Sequence, residues 1–211
     1  MHTKNAVIIF VRKPELGKVK SRLAKTVGKQ KALKIYIELS KHTALTVKDF
    51  LESEDNTQVF IFYSGGIVLD DSWNNIAYKK QNQVGENLGQ KMENAFQYCF
   101  EEGFENVCII GSDCPEIDKS VLENAFSVLE NHDAVIGPAD DGGYYLLGMN
   151  QLHSQVFKEK PWGTAAVFQN TIEDFENLRL SYKALKTLSD IDIESDLLKF
   201  PQFWPKEYQP S

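Results

Sequence analysis

The stretch from Asn106 to Glu116 reads NVCIIGSDCPE, and it constrains the fold most because its apolar residues run continuously and stop abruptly at Gly111. A strand with one wet face alternates apolar and polar residues. A continuous β-branched run such as Val107, Ile109 and Ile110 belongs to a strand covered on both faces. Gly111 and Ser112 end it, and Pro115 keeps the following residues out of a ladder. Asp113 is left at the carboxyl end of the strand, the edge of an open α/β sheet where ligands bind. The competing reading is a cap for the helix that starts near Asp118, although Asp118 or Ser120 can cap that helix unaided.

Two further segments repeat the pattern. Ala6–Val11 and Gln58–Tyr63 are continuous apolar runs that read as parallel strands. Helical spacing of apolar residues recurs over 29–53, 87–102, 119–130 and 164–177. Shorter strands are expected at 76–78, 133–137, 142–148 and 182–185, the 142–148 strand being the candidate to run antiparallel. Strands alternating with helices predict a doubly wound α/β protein in three layers, α/β/α, on a mostly parallel, mixed sheet. At 211 residues the chain reads as a single domain over 1–211, with an irregular surface tail from about Phe200 that carries Pro201, Pro205 and Pro210.

Charge narrows the partners. A net charge of −7 argues against a general nucleic-acid or acidic-membrane binder. Nine Lys or Arg nevertheless fall between Arg12 and Lys34 against one acid, Glu15, which points to a small anionic ligand. The loop from Arg12 to about Lys20 combines Pro14, Gly17 and several cations, a composition suited to wrapping phosphates. Its many cations, few apolar residues and lack of burial predict mobility until an anion binds. Neither GxxxxGK[ST] nor GxGxxG occurs, so the usual NTPase and dinucleotide readings lose their main support. No segment reaches membrane-spanning length, and Ala6–Val11 is too short for a secretory h-region. Cys99, Cys108 and Cys114 lack CxxC spacing, which fits reduced thiols and a cytoplasmic setting.

Six ordered blocks carry a specific resemblance: Gly17–Leu23 (GKVKSRL), Gln83–Gly89 (QVGENLG), Gly111–Pro115 (GSDCP), Gly137–Tyr145 (GPADDGGYY), Pro161–Thr164 (PWGT) and Asp190–Leu197 (DIDIESDL). Together they resemble the GT-A-type nucleotide-diphospho-sugar transferase superfamily, and more narrowly the MobA/CofC-like "transferase 1" glycosyltransferases often found beside radical-SAM proteins. The likeness covers nearly the whole chain. It departs at Ser21, Asn87, Lys91 and Gly163, where Thr, Asp, Arg and Ser are usual.

The resemblance implies a GT-A fold and a metal-dependent glycosyltransferase that takes a nucleotide-diphospho-sugar donor and a small-molecule acceptor. It implies that Asp113 binds Mg²⁺ or Mn²⁺ with Asp192, or with Asp190 in its place. Hard carboxylate oxygens and no His cluster agree with either ion. Helix N-terminal charge is the alternative role for Asp190, Asp192 and Asp196. Arg12, Gly17, Lys20 and Arg22 would hold the diphosphate, with Gln83 and Gly85 at the base. Asp141 would orient or deprotonate the acceptor, with Gly142, Gly143, Trp162 and Thr164 lining the donor or acceptor space. An Asp-Gly hairpin turn and a core Trp are the plain structural alternatives. Nucleotidyl transfer to a phosphorylated small molecule is the second activity the same residues would serve, and a non-catalytic nucleotide-binding module is a third reading. Oligomeric state is left open.

Overall fold

The computed structural model describes residues 4–205. Its strands are β1 (Asn5–Arg12), β2 (Thr57–Ser64), β3 (Lys79–Asn82), β4 (Asn106–Gly111), β5 (Ala134–Pro138), β6 (Tyr144–Met149) and β7 (Tyr182–Ala184). The helices are α1 (Ala24–Val27), α2 (Lys29–Leu51), α3 (Leu88–Glu101), α4 (Lys119–Leu129), α5 (Val167–Asn177) and α6 (Glu194–Lys199). The strands form one mixed sheet in the order β3-β2-β1-β4-β6-β5-β7. Only β6 runs against its neighbours β4 and β5, as the glycine-led 142–148 segment foreshadowed.

The period-two geometry of β1 splits its continuous apolar run between two layers. Val7, Ile9 and Val11 join Val47, Phe50, Leu122 and Phe126 of α2 and α4 on one face. Ala6 and Ile8 join Met92, Phe96, Ile172 and Phe175 of α3 and α5 on the other. A continuous run is needed because each face meets helices. Gly137 permits close packing across β5 and β6, since a Cβ there would lie 2.3 Å from the ring of Tyr145.

A third apolar cluster positions the charged residues. Leu23, Ala32, Ile35, Leu39, Ile191, Leu197 and Phe203 pack together at one end of α2. Leu23 and Ile191 carry Arg22 and Asp192 as their chain neighbours, so this cluster brings two segments far apart in sequence to one place. It also corrects the expectation of an irregular surface tail. Pro201–Phe203 forms a 3-10 turn, and Phe203 is buried edge-on against His42. Pro210 and the rest of 206–211 lie outside the described residues.

The expected short strand at 76–78 forms three residues later, as β3. Ile76 and Ala77 instead pack beside the buried Trp73, closing a turn on its carbonyl. Among the described residues no helix is long and apolar enough to cross a membrane.

Candidate active site

Two clefts lie beside each other over the carboxyl ends of β1 and β4, and Phe10, Leu88 and Gly111 line both. The first holds about 500 Å³ and is walled by charged and polar groups, among them Arg12, Lys20, Arg22, Lys91, Asp113 and Asp192. The second holds about 270 Å³ and is mostly apolar.

The charged cleft is built around Lys20. Its ammonium donates to Asp113 Oδ2 at 2.8 Å and lies 3.9 Å from Asp192 Oδ1, with only 4% of the side chain exposed. Arg22 donates to Asp192 Oδ2 at 2.6 Å. Burial is the largest single effect on Lys20 and opposes its charge, but the attraction and hydrogen bond of Asp113, joined by the charges of Asp192 and Asp190, together outweigh it and hold the lysine pKa above its ordinary value. Burial likewise opposes charge on Asp113, and Lys20 reverses the balance, keeping that carboxyl below the usual range. Both groups are therefore charged near neutral pH. Lys20 adopts a left-handed backbone, φ 45°, which is uncommon outside glycine and costs free energy that packing around it must offset.

The packing comes from Val19 and Leu23, both buried. This corrects the expectation of an unburied, self-repelling loop: its second half is anchored by apolar contacts, and two of its cations face carboxylates. Its start is held by Tyr36 of α2. The Tyr36 hydroxyl accepts from the Arg12 amide and donates to the Arg12 carbonyl, each at 2.8 Å.

The 190s segment reaches the cleft through strand-end contacts. Glu116 accepts from the Ser189 amide at 2.5 Å, and Ile191 inserts into the third cluster. Asp196 accepts from the amides of Asp192 and Ile193 at 3.0 and 2.9 Å, so the helix-cap role belongs to Asp196. Asp190 is not among the cleft residues, yet its carboxyl is pushed up to about 6. Burial is the main cause, opposed by Lys20 and reinforced by the negative charges of Asp113, Asp141 and Asp192. Asp113 does not cap α4, because Asp118 accepts from the Val121 amide at 3.0 Å.

The apolar cleft is lined by Phe10, Met92, Tyr144, Trp162 and Val167, with Asp141, Gly143 and Thr164 as polar or open positions. The hairpin between β5 and β6 places Asp141, whose Oδ1 accepts from the Gly143 amide at 2.8 Å. The Asp-Gly turn reading is correct as local structure, and it leaves Asp141 at the cleft. Lys160, ion-paired to Asp174 and donating to the Asn170 carbonyl, ties the Trp162 segment to α5. Gly89 lets Trp162 settle on α3, since a Cβ there would meet the Phe157 carbonyl at 2.4 Å and Trp162 Nε1 at 2.8 Å.

Arg12, Lys20, Arg22, Gln83, Asp113 and Asp192 thus meet in one cleft, and Asp141, Gly143, Trp162 and Thr164 in the other. Gly17, Gly85 and Gly142 line neither. Each has positive φ: Gly17 packs against the Lys29 side chain, Gly85 against the first turn of α3, and Gly142 against Ala165. Their glycine character serves backbone shape. Asn87 caps α3 by accepting from the Gln90 amide at 3.0 Å, a role Asp fills equally well. Tyr36, Ser64 and Phe10 line the clefts without having been singled out, because each sits inside an ordinary strand or helix pattern, while Ser112 was noted only as a strand end and Tyr144 only within the Gly137–Tyr145 block. Lys91, noted only as a departure, lines the charged cleft.

Among the described residues no group of three or more His, Cys, Asp or Glu side chains is arranged to hold a metal. Asp113 and Asp192 still supply two carboxylates, which face the Lys20 ammonium and, at Asp192, the Arg22 guanidinium as well. Two carboxylates with water and phosphate oxygens completing the shell suit Mg²⁺ or Mn²⁺, so the donor set fits such an ion if Lys20 and Arg22 yield their places.

Residues 47–164 match the family described as "Uncharacterized protein conserved in bacteria (DUF2064)". A protein from Desulfovibrio desulfuricans G20, proposed to be a nucleotide-diphospho-sugar transferase, is 32% identical, with 95% of this chain and 87% of that one covered and a TM-score of 0.81. A cytidylyltransferase from Leptospira borgpetersenii shares the fold at 16% identity and TM-score 0.59, covering 99% of this chain and 91% of its own. So does Rv0371c from Mycobacterium tuberculosis H37Rv, solved in complex with manganese, at 11% identity and TM-score 0.54, over 94% and 98% of the two chains. No curated protein matches the chain. The family match over more than half of the chain and the identity to the Desulfovibrio protein over nearly all of it place the chain in the DUF2064 family, within the GT-A-type nucleotide-diphospho-sugar transferase superfamily.

Proposed function

We propose that the chain is a metal-dependent glycosyltransferase that takes a nucleotide-diphospho-sugar donor in the charged cleft and a small-molecule acceptor in the apolar one. The observation that carries this reading is the pair of long-range ion contacts, Lys20 to Asp113 and Arg22 to Asp192, in the wall of a cleft that shares lining residues with a second one. Ion pairs hold cations in place without a ligand, and a diphosphate offers those cations a better partner. The Desulfovibrio relative supports the transferase class.

Arg12, Lys20, Arg22 and Lys91 would neutralise the diphosphate as charge accumulates on it. With Lys20 and Arg22 turned to phosphate, Asp113 and Asp192 would be the residues to hold Mg²⁺ or Mn²⁺, and such an ion would supply further charge stabilisation on the departing phosphate. Gln83, whose amide nitrogen donates to the Phe62 carbonyl at 3.0 Å, would border the base. Asp141 would take the acceptor hydroxyl proton. The acceptor oxygen bonds to the anomeric carbon, and the electron pair of the broken carbon–oxygen bond leaves with nucleoside diphosphate.

Four cations around one cleft also suit a triphosphate, which favours nucleotidyl transfer as the second reading. The test is product identification after incubation with nucleotide sugars, nucleoside triphosphates, acceptor mixtures and Mn²⁺. Released nucleoside diphosphate supports glycosyl transfer. Pyrophosphate supports nucleotidyl transfer, and nucleotide binding without turnover supports a binding module.

A further inference from the structure

The apolar cleft differs from a sugar site in what it lacks. Among the described residues no lysine, arginine or histidine lines it, and Asp141 is the charged side chain that does. The Thr164 hydroxyl already donates to the Pro161 carbonyl at 2.8 Å. A pyranose brings several hydroxyls, and each one buried without a partner costs about 1–3 kcal/mol, so this wall would bind a free sugar poorly. Trp162, Phe10, Met92 and Val167 instead offer carbon surface to a ring.

The Tyr144 hydroxyl adds direction. Tyr144 lines this cleft beside Met92, and the partner of its hydroxyl among the described residues is the Met92 thioether at 3.7 Å, a weak acceptor. A buried hydroxyl with so poor a partner favours a ligand that brings an oxygen to it. The volume of about 270 Å³ accommodates one or two rings, short of a drug-sized ligand. Phe10, Leu88 and Gly111 are common to both clefts, so a ring seated here abuts whatever the charged cleft holds.

We propose that the apolar cleft takes an aromatic or alicyclic alcohol, the ring against Trp162 and Phe10 and an oxygen at the Tyr144 hydroxyl, as the acceptor of the transferred group. This rests on reading the charged cleft as the donor site.

The test uses phenol and cyclohexanol as probes, with methyl glucoside and toluene as comparators, measured by saturation-transfer NMR on the whole protein. A panel of nucleoside diphosphates with Mn²⁺ is titrated in parallel. Phenol and cyclohexanol should bind at least about tenfold more tightly than methyl glucoside. Tyr144→Phe should weaken phenol about threefold to tenfold and leave toluene unchanged, because it removes a hydroxyl and no ring. Trp162→Ala should weaken all three ring probes, and Tyr144→Phe serves alone if that variant does not fold. Methyl glucoside binding as well as phenol, phenol binding indifferent to Tyr144→Phe, or no ring binding while a nucleoside diphosphate binds would overturn the proposal. Ring binding with the expected variant effects but no nucleotide binding would support the apolar site and defeat the donor-site reading.

Discussion

The two clefts share three residues and little else. One is held open by charges from segments 93 and 170 residues apart in sequence, Lys20 with Asp113 and Arg22 with Asp192. The other is walled by side chains that would count as ordinary core if the sheet did not end there. A charged wall must be assembled by long-range packing, and the Leu23 and Ile191 cluster does this work. An apolar wall needs only that a helix and a loop stop short of closing over it. The charged cleft should therefore be fragile to single substitutions at its ion pairs, and the apolar one to changes of shape.

The largest effect is expected at Asp113→Asn. It leaves the Lys20 ammonium, almost wholly buried, with Asp192 at 3.9 Å as its remaining carboxylate. Stability should fall by about 2 kcal/mol, read as a lower urea midpoint, because the buried ammonium loses its nearest partner; the 40% exposure of the Asp113 side chain keeps the loss below that of a fully buried pair. An unchanged midpoint would mean that the pair contributes nothing to the fold. Next are Lys20→Ala and Arg22→Ala, each expected to weaken nucleoside diphosphate binding by about 1.5–3 kcal/mol and nucleoside binding hardly at all. Arg22 should sit at the lower end, since its side chain is 62% exposed. Isothermal titration of both ligands checks this, and equal losses would reduce the pair to surface charge.

Gly89→Ala sharpens the comparison from the other side. The added methyl collides with the Phe157 carbonyl and with Trp162, costing about 1–3 kcal/mol as an overpacked contact. Ring-probe binding should drop while diphosphate binding stays within about twofold. Diphosphate binding that fell equally would show the two clefts to be one mechanical unit.

Asp118→Ala should touch neither cleft. Losing the α4 cap costs about 1 kcal/mol. Hydrogen bonds from the Ser120 hydroxyl and the Val121 amide, together with the charge of Lys186, hold the Asp118 carboxyl below its ordinary value, against a smaller effect of burial. Its contribution is therefore present above the ordinary carboxylate range and is lost as pH falls through the lowered folded value. The stability gap between variant and parent should shrink in acid, and urea unfolding at neutral pH and near pH 2 measures it.

Much of the fold was legible because continuous β-branched runs and helical spacing report burial directly. Asp113 was legible for the same reason, as a carboxylate where such a run stops. The anchoring of the Arg12–Lys20 loop was not, because Val19 and Leu23 are single apolar residues among cations, and Leu23 packs in part on Ile191, Leu197 and Phe203, far along the chain. Tyr36 was hidden by its place on an amphipathic helix. The glycines at 17, 85 and 142 carried a true signal of unusual backbone, but a turn and a ligand-facing position require the same residue.

The most direct test is a paired titration of one nucleoside and its diphosphate, with Mn²⁺ present, into the parent protein and the Lys20→Ala variant. The parent should bind the diphosphate at least about 100-fold more tightly than the nucleoside, and the variant should lose about tenfold or more of that advantage. Equal affinity for the two ligands in the parent, or an advantage that survives intact without Lys20, would contradict the claim that the charged cleft receives a diphosphate.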